Sequence, residues 1–105
     1  MIEIRFNPDR MELKINGHAG QAEKGQDIVC SAVSILFYTL AQAVTDSKDM
    51  LTEEPKIDIE DGNGYVSCKP KEEYKATMQR TYWTVLTGFE LLTQAYKDYV
   101  SFAVI

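Results

Sequence analysis

The sequence is poor in cysteine and histidine, with two cysteines and one histidine among 105 residues, and it lacks a long apolar run. No such run approaches the roughly 18–20 residues that a transmembrane helix needs, so no membrane partner is expected. The first six residues carry charges at Glu3 and Arg5, which a secretory signal peptide does not do. The protein is therefore expected in the cytoplasm, where both cysteines would be free thiols.

Positive charge is also scarce. Lysine and arginine number 11 against 16 aspartates and glutamates, which gives a formal net charge of −5. This balance argues against nucleic acid as a direct ligand and suits a basic partner, although an acidic surface also simply keeps a protein soluble. With 45% hydrophobic and 26% charged residues, the composition is that of an ordinary globular protein, and residues 1–105 are expected to form a single domain.

The first part of the chain predicts a β-hairpin. Apolar residues alternate with polar ones over residues 2–6 and 11–15, and the Asn-Pro-Asp-Arg stretch at 7–10 is typical of a turn. The second strand is expected to end at Gly17 and His18. Residues 19–26 are small, polar and glycine-containing, which predicts a mobile loop.

From Asp27 the period becomes helical, and Asp27 is a candidate N-cap because its carboxylate can accept the unpaired N–H groups of a first helical turn. The expected buried stripe comprises Ile28, Val29, Ala32, Val33, Leu36, Phe37, Leu40 and Val44.

The second half repeats this order. Alternation at residues 57–60, a turn at 61–64 and a return strand at 65–69 predict another hairpin, and residues 71–99 have helical spacing. The tail, 100–105, alternates as a further strand would. The predicted fold is therefore α+β in the order ββαββα(β), with two helices packed on a mainly antiparallel sheet.

His18 and Cys30 are the candidate catalytic pair. If Asp27 caps the helix, Cys30 lies in its first turn, where the partial positive charge of the helix start can lower a thiol pKa. An imidazole nearby would take the thiol proton and later protonate a leaving amine, and backbone N–H groups of the helix start could hold the oxyanion.

Other interpretations of these residues stay open. A helical cysteine is usually a small buried hydrophobe and a lone histidine a surface residue, but Cys30 lies off the apolar stripe. Asp27 could orient the imidazole, although capping is favoured. Ser34, four residues after Cys30, could bond the thiol or a substrate backbone, or equally the carbonyl of Cys30.

Cofactor chemistry finds little support in the sequence. Cys68, beside Val66 on an inward strand face, is interpreted as a core residue. Zinc would need Cys68 to approach Cys30 and His18, so no metal is expected. The glycines around His18 do not open a helix, which excludes a phosphate-binding loop.

One stretch resembles a known family. Its residues are Gly17-His18-Ala19, Gly25, and Asp27-Ile28-Val29-Cys30-Ser31-Ala32-Val33-Ser34. It is similar to the signature of the bacterial ribosomal-processing cysteine proteases called Prp, which is Gly-His-Ala followed by Gly-x-Asp-Ile-Val-Cys-Ala-Ala-Val-Ser. The signature spans about 18 residues, while element order and length fit along the whole chain. Ser31 departs from it, because the family usually has alanine there.

The resemblance implies a Cys–His dyad protease that removes a short N-terminal extension from a large-subunit ribosomal protein, the one numbered twenty-seven. It also implies a homodimer and a flexible loop between the histidine and the cysteine over the substrate, and no cofactor is expected. His18 matches the base and Cys30 the nucleophile, while Asp27 and Ser34 match supporting positions. Gly17, Ala19, Gly20 and Gly25 belong to the substrate loop.

Two other classes of function remain. One is a non-catalytic, ribosome-associated or assembly module in which the thiol is incidental. The other is a redox-responsive thiol protein, in which Cys30 is oxidised. The absence of a second cysteine within the next few residues counts against the redox class.

Overall fold

The computed structural model of the protein describes residues 1–20 and 27–105. Over these residues the chain forms five strands and two α-helices, with short 3₁₀ turns at Lys48–Met50 and Glu72–Tyr74. The elements are β1 (Ile2–Asn7), β2 (Glu12–Asn16), α1 (Ile28–Asp46), β3 (Lys56–Glu60), β4 (Asn63–Ser67), α2 (Lys75–Ala95) and β5 (Val100–Val104).

The strands of the described chain form one sheet in the order β3-β4-β2-β1-β5. β1 pairs antiparallel with β2, β2 with β4 and β4 with β3, while β5 lies parallel to β1. The α+β class, the element order and the mainly antiparallel sheet are confirmed. Hairpin pairing follows from the short turns, whereas the parallel placement of β5 requires the long crossover through α2.

Both helices cover the same face of the sheet. In β1, Ile2, Ile4 and Phe6 are buried while Glu3 and Arg5 are exposed, as the two-residue period of a strand requires. The buried strand residues form one core with the inward stripes of α1 and α2, which contact each other as well. On the other face of the sheet, Glu3, Arg5 and Lys14 are exposed.

The buried stripe of α1 is narrower than expected, since Ala32 and Leu36 are only half-buried. Ile28, expected in the core, is 60% exposed although Val29 beside it is fully buried, because consecutive helix residues point in directions about 100° apart. Ala41 is buried instead, together with Val29, Val33, Phe37, Leu40 and Val44.

Some boundaries also differ. The second hairpin turns more tightly than the expected 61–64, since β4 already begins at Asn63 and Glu60 pairs with Asn63 across the turn. Gly62 adopts a φ of +78° there, which costs glycine little. The second helix is shorter than 71–99, because the chain must turn after Tyr96 to enter β5.

By length and composition α1 could cross a membrane, which corrects the expectation that no segment approaches that requirement. Its 19 residues carry a single charged side chain, Asp46. Five of the six residues that it buries, Val29, Val33, Phe37, Leu40 and Val44, belong to one core with the sheet and α2. The apolar residues of α1 therefore include a buried stripe, while Ile28, Ile35 and Tyr38 are exposed.

Candidate active site

The start of α1 is organised by Asp27, which is 3% exposed. Its Oδ1 accepts hydrogen bonds from the backbone N–H groups of Val29 at 2.9 Å and Cys30 at 3.2 Å. The favoured interpretation of Asp27 as N-cap is confirmed. The same carboxylate also reaches the candidate nucleophile, because the Cys30 thiol donates to Oδ2 at 3.4 Å.

These contacts bear on the ionisation of Cys30. Burial is the largest influence and raises the pKa of its thiol above the ordinary value of 9.0, and Asp27 and the charge of Asp61 raise it further. A hydrogen bond from the backbone N–H of Ala19 lowers the pKa of the same thiol, without reversing the direction. The expectation of a lowered pKa is therefore wrong for this resting state. Asp27 already occupies the helix-start N–H groups that would stabilise a thiolate.

This arrangement also changes the source of an oxyanion donor. The N–H groups of Val29 and Cys30 bond the Asp27 side chain, and that of Ser31 bonds the Asp27 carbonyl. The backbone N–H that reaches the Cys30 sulfur comes instead from Ala19, the residue after His18. The segment following β2 and the start of α1 therefore meet at the sulfur.

A glycine begins that segment. Gly17 has a φ of +103°, and its N–H donates to the carbonyl of Gly62 at 2.7 Å. A Cβ on Gly17 would collide with the carbonyl oxygen of Met1, so the position requires glycine. Ala19 is buried while His18 and Gly20 are exposed.

One cleft of about 740 Å³ collects most of the predicted site residues. Among the residues that line it are the predicted Gly17, His18, Gly20, Asp27, Cys30 and Ser34. Ala19 does not line the cleft, but its N–H donates a hydrogen bond to the Cys30 sulfur. Gly25 and the rest of the expected mobile loop from 21 to 26 lie outside the described residues. Ser34 is exposed and lines the cleft. Within the described residues its hydroxyl bonds neither the Cys30 thiol nor the Cys30 carbonyl, and a bond to a substrate backbone stays a prediction.

One part of the cleft lining was not predicted from the sequence. It consists of the β3–β4 turn, which contributes Glu60, Asp61 and Gly62. Its turn chemistry was visible in the sequence, but nothing local indicates that this turn faces Cys30. The exposed apolar residues Ile35 and Tyr38 of α1 also line the cleft. Their position off the core stripe was a signal that could have been used.

Cys68 belongs elsewhere. It is 5% exposed and accepts a hydrogen bond from the Tyr82 hydroxyl at 3.6 Å, and burial raises the pKa of its thiol. It is a core residue, as expected. Across residues 1–20 and 27–105, no three His, Cys, Asp or Glu side chains are grouped so that they could hold a metal ion.

Comparison with known proteins identifies the family of this chain. Residues 1–101 match the family model described as "Cysteine protease Prp". The chain belongs to that family. The resemblance of the His18–Cys30 stretch to Prp is thereby confirmed, and so is the enzyme class, cysteine protease.

Curated Prp-family relatives extend the match. The ribosomal processing cysteine protease Prp of Bacillus subtilis strain 168 is 30% identical over 103 aligned residues, which cover 90% of this chain and 88% of that protein. The protein of the same name from Staphylococcus aureus strain Mu50 is 24% identical over 84 residues, with 80% and 76% coverage.

Solved structures share the Prp fold. A ribosomal processing protease Prp from S. aureus, crystallised with a covalently linked product peptide, superposes with a TM-score of 0.78 at 20% identity and full coverage of both chains. The Streptococcus mutans protein SMU.848 gives a TM-score of 0.69 at 25% identity, with coverage of 99% and 91%. These structures support the two-layer architecture described above.

Proposed function

We propose that this protein is a cysteine endopeptidase with a Cys30–His18 dyad, which removes a short N-terminal extension from a large-subunit ribosomal protein. The observation that carries the proposal is the shared cleft. It brings the only histidine of the sequence and the Cys30 thiol to one surface, in a chain of a cysteine protease family.

The chemistry begins from a protonated thiol, since burial and Asp27 raise the pKa of Cys30. His18 accepts the thiol proton when substrate occupies the cleft, and the sulfur attacks the scissile carbonyl carbon. The resulting oxyanion is stabilised by a backbone donor, for which the Ala19 N–H beside the sulfur is the candidate.

Collapse of this intermediate breaks the C–N bond. The imidazolium of His18 gives its proton to the departing amine, which leaves an acyl thioester on Cys30. His18 then takes a proton from water, the hydroxide oxygen attacks the thioester carbonyl, and the thiol returns with the proton. Each cycle consumes one water and one peptide bond.

The substrate assignment rests on the relatives and on charge. Both curated relatives are named ribosomal processing proteases, and one S. aureus Prp structure contains a substrate peptide. Ribosomal proteins are generally basic, and the cleft of this chain of net charge −5 is lined by Asp27, Glu60 and Asp61, which favours the approach of a basic partner. By the same resemblance we propose a cytoplasmic homodimer.

A mass assay tests the proposal directly. The ribosomal protein of the same organism, with its extension intact, is incubated with the wild type and its intact mass is followed over time. Cys30→Ser and His18→Ala are expected to abolish the loss of the extension. Cys68→Ala, which removes the other thiol of the chain, is expected to retain cleavage.

An unchanged mass with the wild type would contradict the proposal. If the wild type and the Cys30→Ser variant then bound the substrate alike, the non-catalytic assembly module would take its place. The redox-responsive class is disfavoured because no second cysteine closely follows Cys30 in the sequence and Cys68 is buried in the core, which leaves no evident thiol to resolve an oxidised Cys30.

A further inference from the structure

We infer that the β3–β4 turn positions the imidazole of His18, and that Gly62 is the residue through which it does so. The inference rests on the proposed role of His18 as the general base. It assigns a positioning function to Gly62, which lies 44 residues after His18 in the sequence.

The turn approaches the histidine segment at two points. The first is the backbone, where the Gly17 N–H donates to the Gly62 carbonyl at 2.7 Å. The second is the ring itself. A Cβ built on Gly62 would lie 2.8 Å from Nε2 of His18, 3.4 Å from Cε1 and 3.5 Å from Cδ2. The tip of the imidazole therefore occupies space that is free only because residue 62 lacks a side chain.

The backbone of Gly62 matters separately. Its φ of +78° lies in the left-handed region, where alanine is strained and asparagine is tolerated much better. Both alanine and asparagine would place a Cβ against Nε2. Because asparagine relieves the backbone strain but keeps the Cβ, a comparison of the two variants separates backbone strain from displacement of the ring.

A displaced ring is the expected response to such a Cβ. The imidazole is the end of a movable side chain, so the contact is relieved by moving it from 2.8 Å to the ordinary separation of about 3.5 Å or more. A shift of this kind, about 0.7 Å or more, lowers kcat by on the order of 10²-fold when it affects a proton-transferring group. KM should change much less, because the shift displaces a proton-transferring group and leaves the other residues that line the cleft in place.

The test compares Gly62→Ala, Gly62→Asn and wild type in kcat and KM for the extension-bearing ribosomal protein. Ring-proton NMR signals of His18 are recorded in parallel, which is straightforward because the sequence has one histidine. Both variants are expected to lose kcat by about 10²-fold and to shift the His18 signals. Gly20→Ala, at a φ of +70° with nothing within 4 Å of the added Cβ, serves as the strain control for thermal unfolding only.

Two results would overturn the inference. Recovery of wild-type kcat in Gly62→Asn would assign the loss to backbone strain, and unshifted His18 signals in both variants would show that the turn does not hold the ring. Failure of the proposed function looks different, since the wild type itself would then leave the substrate intact. The NMR comparison would still decide whether Gly62 positions His18.

Discussion

Replacement of Asp27 by asparagine or alanine should separate two functions of one carboxylate. Oδ1 caps α1 by accepting hydrogen bonds from the N–H groups of Val29 and Cys30, while Oδ2 accepts a hydrogen bond from the Cys30 thiol. Asparagine keeps a cap acceptor but replaces the charged oxygen by an amide NH₂. Alanine removes both. Stability should therefore distinguish the two variants, whereas the ionisation of Cys30 should change in both.

The stability difference can be estimated from the cap. Loss of an N-cap side chain costs about 0.5–2 kcal/mol of stability. Asp27→Ala is expected to lower the free energy of unfolding by about 2 kcal/mol, because the lost carboxylate is buried and accepts from two backbone N–H groups. Asp27→Asn is expected to cost about 0.5 kcal/mol, since asparagine caps nearly as well as aspartate. Urea unfolding measures both values.

The ionisation effect has a definite sign. Asp27 raises the pKa of Cys30 both by its hydrogen bond and by its charge, so either replacement should lower that pKa. Alkylation by iodoacetamide, followed by mass in a Cys68→Ala background with a single thiol, should then be faster at neutral pH than in the parent. An Asp27→Asn variant with the parent's pH–rate profile would refute this role, and equal stability of the two variants would refute the cap energetics.

Further predictions concern the packing. Burial raises the pKa of Cys68 and of Tyr82 above their ordinary values of 9.0 and 10.0. Because these groups ionise first in the unfolded chain, the free energy of unfolding should fall as pH rises above about 9. The fall should be less steep in Tyr82→Phe. A Cβ on Gly88 would lie 2.7 Å from a methyl carbon of Leu36, so Gly88→Ala should lower the free energy of unfolding by about 1 kcal/mol through overpacking. In a Leu36→Ala background the same change should raise it by about 1 kcal/mol, because alanine favours the helix over glycine. Equal effects in both backgrounds would contradict this. Leu40 is fully buried, so Leu40→Ala should lower the free energy of unfolding by about 3 kcal/mol, which denaturant unfolding measures.

The sequence by itself determined what is local. Strand alternation, the helical stripes, the cap at Asp27 and the turn chemistry around Gly62 depend on neighbours within a few residues, so they could be predicted to within a few positions. The Prp stretch from Gly17 to Ser34 belongs to the same class, because its elements are contiguous in the chain.

Only the tertiary structure decided what depends on distant segments. The parallel place of β5 beside β1 and the approach of the Gly62 turn to His18 join residues far apart in sequence, which no local period encodes. The ionisation of Cys30 went against expectation partly for the same reason. Helix position alone favours a thiolate, but burial raises the pKa most, and this burial depends on how α1 packs against its neighbours. Asp61 adds to it from the distant β3–β4 turn, whereas Asp27 acts locally from the helix cap.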